Sequence, residues 1–119
     1  MRRMLIVDDE PKITKCLSAF FSTRGFAVRR VVTGRQAVAW LQYEPPDVVL
    51  LDVRMPDMSG LEVLKRAREL CPQARIIMVT ALDQPEVREE ADAYGAVGYV
   101  TKPFDFSEAT WAPVLSTPQ

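Results

Sequence analysis

Five groups capable of polar chemistry stand where apolar runs end. Met4-Leu5-Ile6-Val7 runs into Asp8-Asp9, and Val48-Val49-Leu50-Leu51 runs into Asp52. Ile76-Ile77-Met78-Val79 ends in Thr80, and Tyr99-Val100-Thr101 ends in Lys102. A carboxylate in the middle of an apolar strand would be costly to bury, so each acid belongs at a strand end that faces a crevice. In an open parallel sheet those ends share the edge where ligands bind, so three carboxylates, a hydroxyl and an ammonium are expected to converge there. Clustered acids repel one another and need either raised pKa values or a cation. A donor set of oxygens alone suits Mg²⁺, which takes a few carboxylates together with water and a phosphate oxygen. The lysine supplies a mobile point charge for a phosphoryl or carboxylate group. The set reads as a pocket for a phosphoryl group beside Mg²⁺, with Asp52, alone at the end of the central strand, as the nucleophile.

Bulk properties remove several other chemistries. The 119 residues contain no histidine, which excludes Ser-His triads, HExxH zinc sites and a histidine general base within the chain. A formal net charge of −1 gives no bulk attraction to nucleic acid or to a membrane surface. Cys16 and Cys71 are isolated, without metal-ligand spacing, and read as small buried thiols. The apolar run after Arg2-Arg3 meets acid too soon for a signal peptide, and no run reaches transmembrane length, so a cytoplasmic location is expected.

The elements that must position these groups follow from the pattern. The apolar run at 48–51, four branched residues between turn formers, reads as a strand buried on both faces. Strands are expected at 4–7, 27–32, 48–51, 75–79 and 97–101, with Arg29 and Arg30 marking the second as an edge strand. Helices lie between them. The first opens at Asp9-Glu10-Pro11 and carries Ile13, Leu17, Phe20 and Phe21 on one face. The fourth, about 86–94, is expected to turn Val87, Ala91 and Tyr94 inward. This alternation indicates an α/β fold, a doubly wound, three-layer flavodoxin-like sandwich with a five-stranded parallel sheet in the order 2-1-3-4-5. That order sets the two acid-bearing strands side by side. Residues 1–106 form the core in this reading, and 107–119 a short, incomplete fifth helix and proline-containing tail or linker, interrupted by Pro113.

Val7-Asp8-Asp9-Glu10, Leu51-Asp52-Val53-Arg54-Met55-Pro56, Ser59-Gly60-Leu61, Val79-Thr80-Ala81 and Thr101-Lys102-Pro103-Phe104 resemble, in order, the motifs of response-regulator receiver domains. The resemblance covers about residues 4 to 106. It implies that Asp52 accepts a phosphoryl group from a phosphohistidine on a sensor histidine kinase or phosphotransfer protein. It also implies that Asp8, Asp9, Asp52 and the backbone carbonyl of Arg54 hold Mg²⁺, with Mn²⁺ as a substitute, and that Lys102 pairs with the phosphoryl oxygens. Thr80 and Tyr99 would be the switch residues, and the Lys102-Pro103 peptide would be cis. Self-catalysed phosphotransfer and autodephosphorylation, rather than enzymatic turnover, would control a downstream effector domain or protein. The fourth helix, fifth strand and fifth helix would be the surface for a homodimer, although Pro113 departs from the family pattern there.

Rival readings meet specific obstacles. A haloacid-dehalogenase-like phosphatase needs a second acid two residues after its nucleophile, where this chain has Arg54. Nucleotide binding lacks a glycine-rich loop after the first strand. Direct DNA binding lacks a basic reading helix. A phosphorylation-independent pseudo-receiver, an interaction module, is the alternative, though such modules usually lose one of the acids, the threonine or the lysine.

Overall fold

A computed structural model of the chain describes residues 1–115. Its elements are β1 (Arg2–Val7), α1 (Pro11–Ser22), β2 (Phe26–Val31), α2 (Gly34–Tyr43), β3 (Val48–Leu51), α3 (Gly60–Leu70), β4 (Arg75–Thr80), α4 (Pro85–Ala93), β5 (Gly98–Thr101) and α5 (Ala112–Leu115). The five strands form one parallel sheet in the order β2-β1-β3-β4-β5. The acid-bearing β1 and β3 are neighbours, in the register Met4↔Val48 to Val7↔Leu51. This is the doubly wound, flavodoxin-like arrangement.

Alternation along each strand divides the core in two. Leu5, Val7, Val49, Leu51, Ile76 and Met78 face Ala37 and Leu41 of α2, Val63, Leu64 and Ala67 of α3, and Ala91 of α4. Met4, Ile6, Val48, Leu50, Ile77, Val79 and Val100 face Leu17 and Phe21 of α1 together with Trp111 and Val114. The second cluster therefore takes in side chains beyond residue 106. Trp111 is fully buried, edge-on to Phe21 and Phe104, and its indole N–H donates to the Asp105 carbonyl at 2.7 Å.

Local signals explain the element ends. Pro11 and Pro85 open α1 and α4, where a missing N–H costs nothing. Thr33 and Ser59 cap α2 and α3 by accepting from Gln36 N and Leu61 N. Gly25 and Gly95, at φ of 89° and 91°, supply the left-handed residues after α1 and α4.

Two expectations needed correction. β1 starts at Arg2, because Arg2 and Arg3 pair with Phe26 and Ala27 although their side chains reach solvent. Tyr94 is exposed rather than inward: α4 ends at Ala93, and the ammonium of Lys65 stands over the Tyr94 ring from outside. The described stretch of α5 is short, as expected, and Pro113 stands in its first turn, where its carbonyl accepts from Arg75 Nη2 at 2.9 Å. The tail at 116–119 lies outside the described residues.

Candidate functional site

The backbone ladder runs one residue past the strands and carries the polar groups to the same edge. Asp8 N donates to Val31 O, Asp52 N to Val7 O and Lys102 N to Thr80 O, at 3.2, 3.0 and 2.9 Å. Asp8, Asp52 and Thr80 are all buried. The Lys102-Pro103 peptide is cis.

Lys102 is the hub. Its Nζ donates to Asp8 Oδ2 at 2.7 Å, to Asp52 Oδ2 at 2.9 Å and to Glu10 Oε1 at 2.9 Å. These bonds occupy all three donors of the ammonium. The remaining oxygens of the two buried acids are also held, Asp8 Oδ1 by Glu10 N at 2.9 Å and Asp52 Oδ1 by Arg54 N at 3.1 Å. Burial pushes the Asp8 carboxyl above its ordinary value, although Lys102 pulls the other way. For Lys102, burial would lower the pKa. The bonds to Asp8, Asp52 and Glu10 outweigh it and hold the ammonium above the ordinary lysine value.

The structure brings together Asp8, Asp52 and Lys102 among the residues singled out from sequence. Asp9 is exposed, and the cluster whose carboxylate oxygens lie within 4.8 Å of one another consists, among the described residues, of Asp8, Glu10 and Asp52. Sequence reasoning placed Glu10 in the first motif and at the opening of a helix, and gave it no role in the site. The signal for its position was the following proline, which confines the preceding residue to extended backbone; Glu10 has φ −95° and ψ 110°. The Arg54 peptide is fixed beside Asp52 through its N–H, and its side chain is exposed.

Thr80 and Tyr99 converge on one residue of the β4–α4 loop. Thr80 Oγ1 accepts from Leu82 N at 3.2 Å, while the Tyr99 hydroxyl donates to the Leu82 carbonyl. The Arg88 guanidinium lies over the Tyr99 ring, 4.5 Å from its centroid. In the β3–α3 loop, Asp57 accepts from Gly34 N and Arg35 N at 2.8 and 2.9 Å, tying that loop to the start of α2.

Gly60 closes this loop under Asp52. Its N–H donates to Val53 O at 2.7 Å. A Cβ at this position would lie 1.9 Å from the Asp52 carbonyl oxygen and 2.8 Å from Val53 Cα. Both obstacles are backbone, so Gly60→Ala must displace either α3 or Asp52. The expected loss is about 2 kcal/mol in urea unfolding, well above that of Ser59→Gly at the neighbouring cap, where only a few tenths are at stake.

Three carboxylates against one ammonium leave a surplus of negative charge on oxygen donors alone, the chemistry that a hard divalent cation fits. Asp52 has a cation beside it in Lys102, which could neutralise negative charge gathering there.

The family model described as response regulator receiver domain matches residues 4–112. The regulatory protein AtoC of Escherichia coli is 41% identical over 108 residues, which cover 91% of this chain and 23% of that protein. Sporulation initiation phosphotransferase F of Bacillus subtilis is 36% identical over 106 residues, 89% of this chain and 86% of that protein. The crystallised chemotaxis protein CheY4 of Vibrio cholerae superposes with a TM-score of 0.86 at 34% identity, covering 98% of this chain and 97% of that one. The chain thus spans nearly the whole of some relatives and under a quarter of another. Among the described residues, no helix is long and apolar enough to cross a membrane.

Proposed function

The chain belongs to the response regulator receiver domains of two-component systems, and on that premise we propose that it accepts a phosphoryl group on Asp52 in a Mg²⁺-dependent reaction and passes the change to an output partner. Receiver domains interact with histidine kinases and with effector domains, and are not enzymes in the classical sense. The observation that carries the proposal is the Lys102 ammonium bonded at once to Asp52 and Asp8, at 2.9 and 2.7 Å, at the buried end of the sheet.

In the proposed step a carboxylate oxygen of Asp52 attacks the phosphorus of a phosphohistidine on the kinase. The P–N bond breaks with its electron pair passing to the imidazole nitrogen, which takes up a proton, and an O–P bond forms on Asp52. The acceptor is ready for this because the Arg54 N–H fixes one of its oxygens and Lys102 the other. As negative charge gathers on the phosphoryl oxygens, Lys102 can turn from the acids to meet them. Mg²⁺, or Mn²⁺ in its place, held by Asp8, Asp52, the Arg54 carbonyl and Asp9, would supply further neutralisation of that charge. Water attack on the acyl phosphate at the same site accounts for autodephosphorylation.

The phosphorylated acid carries close to two negative charges and new acceptor oxygens. Thr80 would then exchange its bond with Leu82 N for one to the phosphoryl group, and Tyr99, whose acceptor is the same Leu82, would repack with it. A near-complete switch needs about 5.5 kcal/mol of differential stabilisation, which a few charge-assisted hydrogen bonds and one repacked ring are able to provide. A cytoplasmic site of action goes with a kinase as donor. No observation favours the phosphorylation-independent alternative.

Intact mass after incubation with acetyl phosphate tests the reading. The wild type is expected to gain one phosphoryl group with Mg²⁺ and none after chelation, and Asp52→Asn none under either condition. An unmodified wild type, with acetyl phosphate and again with a phosphorylated histidine kinase, would overturn it.

A further inference from the structure

The three partners of Lys102 are not equivalent. The side chains of Asp8 and Asp52 are 3% and 6% exposed, whereas that of Glu10 is 59% exposed. An ammonium has three donors, and all three are engaged here. Before Lys102 can bond a phosphoryl oxygen it must therefore give up a carboxylate. Abandoning a buried acid leaves an unpaired charge away from water, which is expensive, whereas Glu10 can be resolvated where it stands. Glu10 is also the one of the three that is not at a strand end. It stands at the entrance to α1, held extended by Pro11, with its carboxylate at the mouth of the site.

We propose that Glu10 is a releasable latch on Lys102: it holds the ammonium back from the incoming phosphoryl group and so slows phosphorylation of Asp52. The latch rests on the phosphoacceptor reading and adds a rate-setting residue to it. It needs both a negative charge and the reach of a glutamate. Two conservative variants separate these requirements, since Glu10→Gln removes the charge and Glu10→Asp keeps the charge but shortens the reach.

With acetyl phosphate and saturating Mg²⁺, both variants are expected to phosphorylate about fivefold faster than wild type, the factor that corresponds to one exposed charge-assisted pair. Acceleration by Glu10→Gln alone would mean a general charge effect at the site mouth and would overturn the latch; so would no acceleration in either variant. Mg²⁺ titration of Glu10→Asp by calorimetry is expected to match the wild type. A weakening of about tenfold would make Glu10 a metal ligand instead and overturn the proposal. Acetylation of Lys102 by a small amine-directed reagent, read by peptide mass in Mg²⁺-free protein, gives a readout independent of phosphorylation. Both variants should label Lys102 faster than the wild type does, and equal labelling would overturn the latch. A wild type that takes no phosphoryl group would sink the phosphoacceptor reading, while the labelling would still report on the latch itself.

Discussion

Lys102→Ala is expected to lose about 3 kcal/mol of stability at neutral pH and, on the proposed function, to take a phosphoryl group on Asp52 at least roughly a hundredfold more slowly. The lysine is the shared partner of two buried carboxylates and one exposed one, so its removal leaves Asp8 and Asp52 charged and without a cation. The pH dependence gives the sign. Lys102 has a raised folded-state pKa, so its contribution is fully present below the ordinary lysine value and is lost only as pH climbs past the higher folded one. Asp8 is also raised, by burial, and without Lys102 it rises further. A carboxyl with a raised folded-state pKa favours the fold when protonated, and that advantage disappears as pH rises through the folded value. The deficit of the variant is therefore small in acid and grows toward neutral pH. Urea unfolding of both proteins across that range checks it, and a deficit independent of pH would contradict the charge argument.

Trp111→Ala is the second large effect, a loss of about 4 kcal/mol. The side chain is wholly buried between Phe21 and Phe104, and its N–H satisfies the Asp105 carbonyl, so truncation opens a cavity and strands a polar group together. Trp111→Phe should keep most of the packing and lose only about 1–2 kcal/mol for the unpaired carbonyl. Denaturation followed by far-ultraviolet circular dichroism gives both values without relying on the deleted fluorophore. Equal losses in the two variants would show that the hydrogen bond, and not the filled volume, holds this end of the sheet.

The comparison of these two residues shows what the chain pattern reveals. Lys102 could be found because it follows an apolar run that can only be a strand, and a parallel sheet must present the ends of such strands together. The strand order and the pairing of β1 with β3 follow from the same rule. Trp111 could not be found this way. It follows the polar stretch Ser107-Glu108-Ala109-Thr110, the apolar spacing of Trp111, Val114 and Leu115 spans little more than one turn, and its burial depends on the turn set by Asp105, which accepts from Ser107 and Thr110. Glu10 was missed for a related reason: its contact is made by a long side chain across 92 residues of sequence, a reach that spacing does not encode. Pro113 signals a short fifth helix, and in its described stretch the proline stands in the first turn, where a missing N–H is tolerated. Thr80 and Tyr99 were legible as edge residues, whereas their common attachment to Leu82 required the loop to be seen.

The bond from Lys102 to Asp8 spans 94 positions of the chain, and the bond to Asp52 spans 50. One partner comes from the first strand, one from the central strand, and the lysine from beyond the last. Contacts between such distant positions form late, after the loops between them have closed. No folding intermediate or clipped fragment lacking β5 can assemble the constellation, however native its remaining strands are. On the proposed function, competence to accept a phosphoryl group is thereby tied to completion of the sheet, and a chain lacking β5 is expected to be silent rather than wrongly active.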